Sequence, residues 1–280
     1  MTDIAIIGAG PAGISAALTA RNRGKSVEII SNDPFDSGLA KAERIDNYPG
    51  LVGESGTEIV SGMLAGLESV GLEVRHGRVI SVLPFDGEFL VGVGQDMVQA
   101  RSVILAVGAM KGSQLPGEQR LLGRGVSYCA TCDGMLYKDR PVCVVGSGSE
   151  AESEAAFLAG IGCQVTYVSD REPTSLAGDV AFRQGRKLEV VGDEVVEGLV
   201  VDGDTIDCEA VFVLRPSIAP TNLVADLETD GSFVKADGSM RTNIEGLFAA
   251  GDCTGKPLQV AKAVGQGQIA AFSAIEYLDR

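Results

Sequence analysis

Ile4-Ala5-Ile6-Ile7-Gly8-Ala9-Gly10-Pro11-Ala12-Gly13, near the start of the chain, joins a short apolar, β-branched run to a G-x-G-x-x-G turn. The run has the composition of a buried parallel strand, and Ile14-Ser15-Ala16-Ala17-Leu18-Thr19-Ala20 behind it reads as a helix. Between a strand and a helix, Gly8, Gly10 and Gly13 allow a tight turn and let the backbone approach a pyrophosphate at the helix's positive end. Gly8, Gly10, Pro11, Ala12 and Gly13 are therefore candidate dinucleotide contacts, with an ordinary glycine-rich turn as the alternative. The next strand, Ser26 to Ser31, should end where a ribose would lie. The usual acid is missing there: Ser31 and Asn32 stand in its place, with Asp33 just beyond, which argues against NAD and leaves FAD open.

Further along, Ile59 to Leu72 has the spacing of an amphipathic helix, strands are expected around Val79–Leu83 and Glu88–Val93, and Ser102 to Ala109 reads as a buried strand. That strand ends at Gly108, suited to close approach of a cofactor. Gln114 to Gly125 reads as a linker. Val142-Cys143-Val144-Val145-Gly146-Ser147-Gly148 then repeats the strand–glycine–helix pattern, with Glu152 to Leu158 as helix. Its following strand, Gln164 to Val168, ends in Ser169-Asp170-Arg171-Glu172-Pro173, without an arginine cluster for a 2′-phosphate. Asp170 could meet a ribose diol, or the second site could be vestigial. A hairpin is expected within Gly192–Asp207, and Arg215 to Pro220 reads as a second linker. The tail offers a buried strand that presents Asp252 at its end, to a cofactor hydroxyl or merely to its own turn, followed by a glycine-bearing helix. The economical fold is α/β with two Rossmann-like, three-layer domains, the second inserted into the first: 1–113 with 220–280, and 114–219.

The inserted segment carries Cys129-Ala130-Thr131-Cys132-Asp133. Cys129 and Cys132 can cycle between disulfide and dithiol, and Asp133 could hand a proton to a departing thiolate. Half of a zinc site, or two inert buried cysteines, are the alternatives. Structural zinc wants four ligands, whereas Cys143, Cys163, Cys208 and Cys253 are scattered and His76 is the only histidine, so no metal is expected. A net charge of −15 makes nucleic acid or an anionic membrane surface an unsuitable partner. No apolar run approaches the roughly 20 residues that span a bilayer. No signal peptide is apparent, and six cysteines in 280 residues suit a cytoplasmic setting better than a disulfide framework.

Taken together, Gly8 to Gly13, Asn47-Tyr48-Pro49-Gly50, Gly123-Arg124-Gly125-Val126, Cys129 to Asp133, Ala249-Ala250-Gly251-Asp252 and Gln259 with Gly265 and Gly267 resemble the low-molecular-weight thioredoxin reductases, two-domain flavoproteins of glutathione-reductase type. The resemblance implies FAD in the first domain, with Gly8 to Gly13 on the pyrophosphate, Asp252 on the ribityl chain, Gln259 near the isoalloxazine, and Asn47 and Gly108 among the contacts. It implies a catalytic set of Cys129, Cys132 and Asp133, thioredoxin as substrate, a homodimer, and a rotation between domains. Cys129 is the expected attacking thiol. NADPH-dependent members carry His-Arg-Arg-x-x-x-Arg where this chain has Ser169, Asp170, Arg171 and Ser175, and the second domain is shortened. Both departures resemble the ferredoxin-dependent flavin thioredoxin reductases, so reduced ferredoxin is the expected donor. The retained Gly146 and Gly148 leave NADH, NADPH or a second flavin as alternatives, and a non-catalytic redox switch is the reading from a different class. Arg120, Arg124, Lys138 and Arg140, or Arg183, Arg186 and Lys187, are the basic groups that could meet an acidic donor protein.

Overall fold

The apolar run at the start forms β1 (Thr2–Ile7), where Ile4, Ala5 and Ile6 are fully buried. The computed structural model describes residues 1–109, 114–214 and 219–280. After β1 come α1 (Pro11–Asn22), β2 (Val27–Ser31), α2 (Gly56–Ser69), β3 (Val74–His76), β4 (Val79–Phe85), β5 (Glu88–Val93) and β6 (Asp96–Leu105). Then follow α3 (Glu118–Leu121), β7 (Val126–Ser127), α4 (Ala130–Asp133), β8 (Pro141–Gly146), α5 (Ser149–Gly160), β9 (Gln164–Ser169) and β10 (Ala181–Gln184). The chain continues through β11 (Leu188–Val191), β12 (Gly198–Val201), β13 (Asp204–Asp207), β14 (Ala210–Leu214), α6 (Pro220–Leu223), β15 (Thr229–Asp230), β16 (Phe233–Val234), β17 (Leu247–Ala249) and α7 (Val260–Leu278).

Two compact units result, Met1–Lys111 with Ser217–Arg280, and Gly112–Pro216. In the first, β3-β2-β1-β6 lie side by side in parallel, and β17 joins the far half of β6, also in parallel. The near half of β6 continues instead into an antiparallel meander with β5 and β4. One ten-residue strand thus serves three neighbours, β1 along one side and β5 then β17 along the other, and the parallel ends of β1, β6 and β17 converge on one edge. Ala106 N–H donates to Ile7 O (2.8 Å) and Ala250 N–H to Leu105 O (2.9 Å), which fixes that edge in register. Helices α1 and α7 pack on each other over the sheet, their small residues Ala12, Ala16, Ala17, Ala20, Ala263, Ala270, Ala271 and Ala274 sharing one core with Ile4, Ile6 and Ile104.

In the second unit, β10-β9-β8-β14-β7 form an all-parallel sheet, and β11-β12-β13 a separate antiparallel meander. Two mixed α/β units of Rossmann type were expected and are seen. Some details depart from expectation. The stretch taken as a linker from Gln114 to Gly125 holds α3, whose Glu118 and Leu121 are fully buried. Strands β10 and β11 had no local signal. The expected boundary at 113 and most of the second linker fall at residues 110–113 and 215–218, outside the described residues.

Candidate functional site

Two constellations stand out, one in each unit. In the first unit the turn after β1 is packed tightly enough to explain its glycines. Gly8 has φ +107°, and a side chain on it would overlap the Ala106 carbonyl; one on Gly13 would overlap the Gly8 carbonyl. Gly267 of α7 lies against the Ala12 carbonyl in the same way. Gly10, by contrast, faces open space and is the N-cap of α1, with Pro11 at the first turn, no side-chain cap and no acidic residue in that turn. The 12-residue helix therefore presents an uncompensated positive end at an opening, the arrangement that favours phosphate oxygens.

Asp252 stands at the end of β17, after Gly251. Its Oδ1 is buried and has no hydrogen-bond partner among the described residues. Burial raises its proton affinity above the ordinary carboxylate value, and the nearby Lys262 ammonium opposes this. Lys262 Nζ donates to Gly251 O (2.9 Å) and Gly255 O (2.5 Å), while Gln266 Oε1 accepts from Gly251 N–H (3.0 Å) and Thr254 Oγ1 (3.0 Å). Burial holds the Lys262 ammonium below its usual value, against the attraction of Asp252. Gln259, the N-cap of α7, accepts from Asn47 Nδ2 (2.6 Å). Gly108, at φ +74°, faces open space just beyond β6. Gly8 to Gly13 and the orphan oxygen of Asp252 thus lie at one sheet edge. A bare helix end for a pyrophosphate, and a buried acceptor for a hydroxyl, fit a dinucleotide with a polyol chain. Lys262 and Gln266, which shape the Asp252 turn, gave no signal in the sequence; on a long helix they read as solvated side chains. Cys253 is fully buried, and burial pushes its thiol up to about 12, so it packs as a small apolar group.

In the second unit Cys129 and Cys132 are joined in a disulfide with their Cα atoms 5.3 Å apart. Among the described residues no group of three or more His, Cys, Asp or Glu is placed to hold a metal ion. Cys129 is the N-cap of α4, and its sulfur accepts from Cys132 N–H (3.2 Å). Ser127, at the end of β7, is the hub: its hydroxyl donates to Asp133 Oδ2 (2.6 Å) and accepts from Cys129 N–H (3.1 Å). Asp133 is thereby tied to the redox segment. Two further carboxylates gave no signal in the sequence. Buried Glu118 accepts from Tyr128 Oη (2.9 Å) and Leu115 N–H (2.7 Å), and Glu154 of α5 accepts from Ala130 N–H (3.1 Å). Cys129 is buried while Cys132 is partly exposed, so the expected attack by Cys129 on a protein needs a rearrangement that uncovers it. Met135 and Leu136, directly after the pair, are exposed.

The second glycine turn differs from the first in charge. Gly148, at φ +90°, is open, but Glu150 and Glu152 lie in the first turn of α5. Glu152 is buried and accepts from Thr174 N–H (2.9 Å) and Ser175 N–H (2.8 Å). Arg171 points into solvent beside Asp170. Of the expected basic groups, Arg120 is bonded to the Gly192 and Asp193 carbonyls, Arg140 to Glu209 and Arg183 to Asp204.

The sequence pattern described as pyridine nucleotide-disulphide oxidoreductase matches residues 2–267. The thioredoxin reductase of Treponema pallidum (strain Nichols) is 33% identical, over 99% of this chain and 97% of its own. The chain belongs to the thioredoxin reductases of this oxidoreductase family. It is accordingly an enzyme that acts on disulfides. Among solved structures, a ferredoxin-flavin thioredoxin reductase from Clostridium acetobutylicum is 40% identical with a TM-score of 0.95, covering 99% of this chain and 97% of that one. A thioredoxin reductase from Gloeobacter violaceus is 31% identical with a TM-score of 0.86, covering 99% and 94%.

Proposed function

We propose that this thioredoxin reductase binds FAD in the first unit and passes electrons through Cys129 and Cys132 to oxidised thioredoxin, with reduced ferredoxin as donor. The observation that carries the reading is the closed Cys129–Cys132 disulfide with Asp133 tied to it through Ser127. Bound FAD would supply the redox chemistry that joins a one-electron donor, acting twice, to the two-electron reduction of the disulfide. Gly8 to Gly13 would hold its pyrophosphate and Asp252 its ribityl hydroxyls, with Asn47, Gly108 and Gln259 as further contacts. Once the pair is reduced, the Cys129 thiolate attacks the substrate disulfide and one substrate sulfur leaves, taking a proton for which Asp133 is the source. The Cys132 thiolate then attacks Cys129 in the mixed disulfide, releasing the second substrate thiol and restoring the Cys129–Cys132 bond. Exposed Met135 and Leu136 supply apolar contact for the protein substrate.

The donor assignment is supported by α5. Carboxylates at a helix N-terminus compensate its dipole and repel a pyrophosphate, and Glu152 already occupies the loop after β9 that a nucleotide's ribose would approach. The similarity to the Clostridium acetobutylicum ferredoxin-flavin enzyme points the same way. Four buried free cysteines suit a reducing cytoplasm. Exposed Ile269 and Phe272 on α7 offer apolar surface for a homodimer.

Anaerobic mixing of the oxidised enzyme with reduced ferredoxin, NADH or NADPH, with flavin absorbance and thioredoxin thiols followed together, tests the scheme. Reduced ferredoxin is expected to sustain thioredoxin reduction, and Cys132→Ser to abolish turnover. Rapid stoichiometric bleaching by NADPH or NADH would overturn the donor. Catalytic turnover by Cys132→Ser would overturn the whole route.

A further inference from the structure

Helix α5 follows the second glycine turn, yet two of its carboxylates face inward to protein backbone. Glu152 takes the amides of Thr174 and Ser175, and Glu154 takes the amide of Ala130. Ala130 is the residue directly after Cys129 and is fully buried, packed in one core with Ala151, Ala155 and Leu158 of α5. On the same side, a side chain on Gly134 would meet Leu158 and Ile161. Apolar packing therefore fixes α4 against α5, and Glu154 has little freedom in where it puts its charge.

We propose that Glu154 is a positioning residue for the redox pair, holding the Cys129–Ala130 peptide in place and keeping the pair strongly reducing through its negative charge. This rests on the reading of Cys129 and Cys132 as the redox centre. The charge sets the direction. A carboxylate near Cys129 disfavours a thiolate there, and so disfavours the reduced state relative to the disulfide. Glu154 is held at the Ala130 amide, the first of α4, so its charge stays beside the Cys129 end of the pair. A dithiol whose reduced form is left unstabilised gives up its electrons more readily, which suits delivery to a thioredoxin disulfide.

Glu154→Gln keeps an acceptor for the Ala130 amide and removes the charge; Glu154→Ala removes both. The holoenzyme and both variants are equilibrated anaerobically in dithiothreitol redox buffers, acid-quenched and alkylated, and the Cys129–Cys132 peptide is weighed. The equilibrium constant for reduction of the pair is expected to rise about tenfold in Glu154→Gln, the equivalent of one pKa unit of lost repulsion. For a two-electron couple that is about 30 mV toward more oxidising values, and Glu154→Ala is expected to move at least as far. Thiolate absorbance in a Cys132→Ser background should show the Cys129 thiol titrating at lower pH when Glu154→Gln is added. Wild-type potentials in both variants would overturn the proposal, and so would a shift confined to Glu154→Ala, which would make Glu154 a mechanical tether only. A wild-type enzyme with no reversible Cys129–Cys132 couple would remove the redox reading itself and this proposal with it. Unshifted variants of an enzyme that does show the couple would remove only the proposal.

Discussion

Asp252 carries a cost in the empty protein that becomes useful only with a ligand. Its Oδ1 is buried without a described partner, and burial raises its proton affinity, with Lys262 opposing. An acid bound more tightly to its proton in the folded than in the unfolded chain penalises folding once pH exceeds its ordinary value. Below that value it is protonated in both states and the penalty vanishes. Asp252→Asn is therefore expected to stabilise the ligand-free protein at pH 7 by a few tenths to about 1 kcal/mol, since solvent screens this half-buried group. The gain should disappear below about pH 4, while FAD affinity falls at least tenfold. Thermal unfolding of the ligand-free protein at both pH values, with a flavin fluorescence titration, checks this; an equal gain at both pH values would refute it. At this scale the sequence is half legible. Asp252, Cys129, Cys132 and Asp133 announce themselves because they sit at strand ends or at a fixed spacing. Lys262, Gln266, Glu118 and Glu154 do not, because what makes them matter is a partner that no local pattern announces: the Gly251 carbonyl for Lys262, the Tyr128 hydroxyl for Glu118, the Ala130 amide for Glu154.

The first βα turn separates glycines that serve packing from one that faces an opening. Gly267→Ala would push a methyl group into the Ala12 carbonyl, driving α7 off α1; such overpacking costs about 3 kcal/mol and should lower the thermal midpoint with or without flavin. Gly10 has φ −82° and ψ −176°, which alanine adopts freely, and nothing lies within 4 Å of the added carbon. Gly10→Ala is expected to leave the ligand-free midpoint unchanged and to reduce FAD affinity at least tenfold. Apoprotein melting curves beside flavin titrations separate the two, and a Gly10→Ala protein that binds FAD normally would show the opening is not the pyrophosphate's. Such turns are legible from sequence because strand, glycines and helix are contiguous. Elements such as α3 and β10 are not. In α3, a charged, proline-bordered stretch is ordered by burial of Glu118 against Tyr128. In β10, four exposed residues become a strand by pairing with β9.

At the scale of the molecule the net charge of −15 sets how a partner protein arrives. Arg120, Arg140 and Arg183, three of the cations that could have formed a local basic patch, are held by oxygens of their own unit. With the proposed donor, an acidic protein approaches against this net charge, a repulsion that salt screens over a Debye length of about 8 Å at physiological ionic strength. The kcat/KM for reduced ferredoxin is expected to rise as salt increases from about 0.01 to 0.15 M. A steep fall in stopped-flow rates over that range would reveal an attractive patch instead.

The discontinuity of the first unit also sets an order of assembly. Strand β6 pairs with β17 through Val103 and Leu247, and α1 packs on α7, with the whole second unit lying between those partners in the chain. Proteins are made from the N-terminus at roughly 5 to 20 residues per second. On the ribosome, β1, α1 and β6 therefore wait, their apolar faces uncovered, while the redox unit is completed. The Gly8–Gly13 turn is backed by Gly267 only when α7 emerges, so nascent chains halted before residue 219 should be prime clients of hydrophobic-surface chaperones.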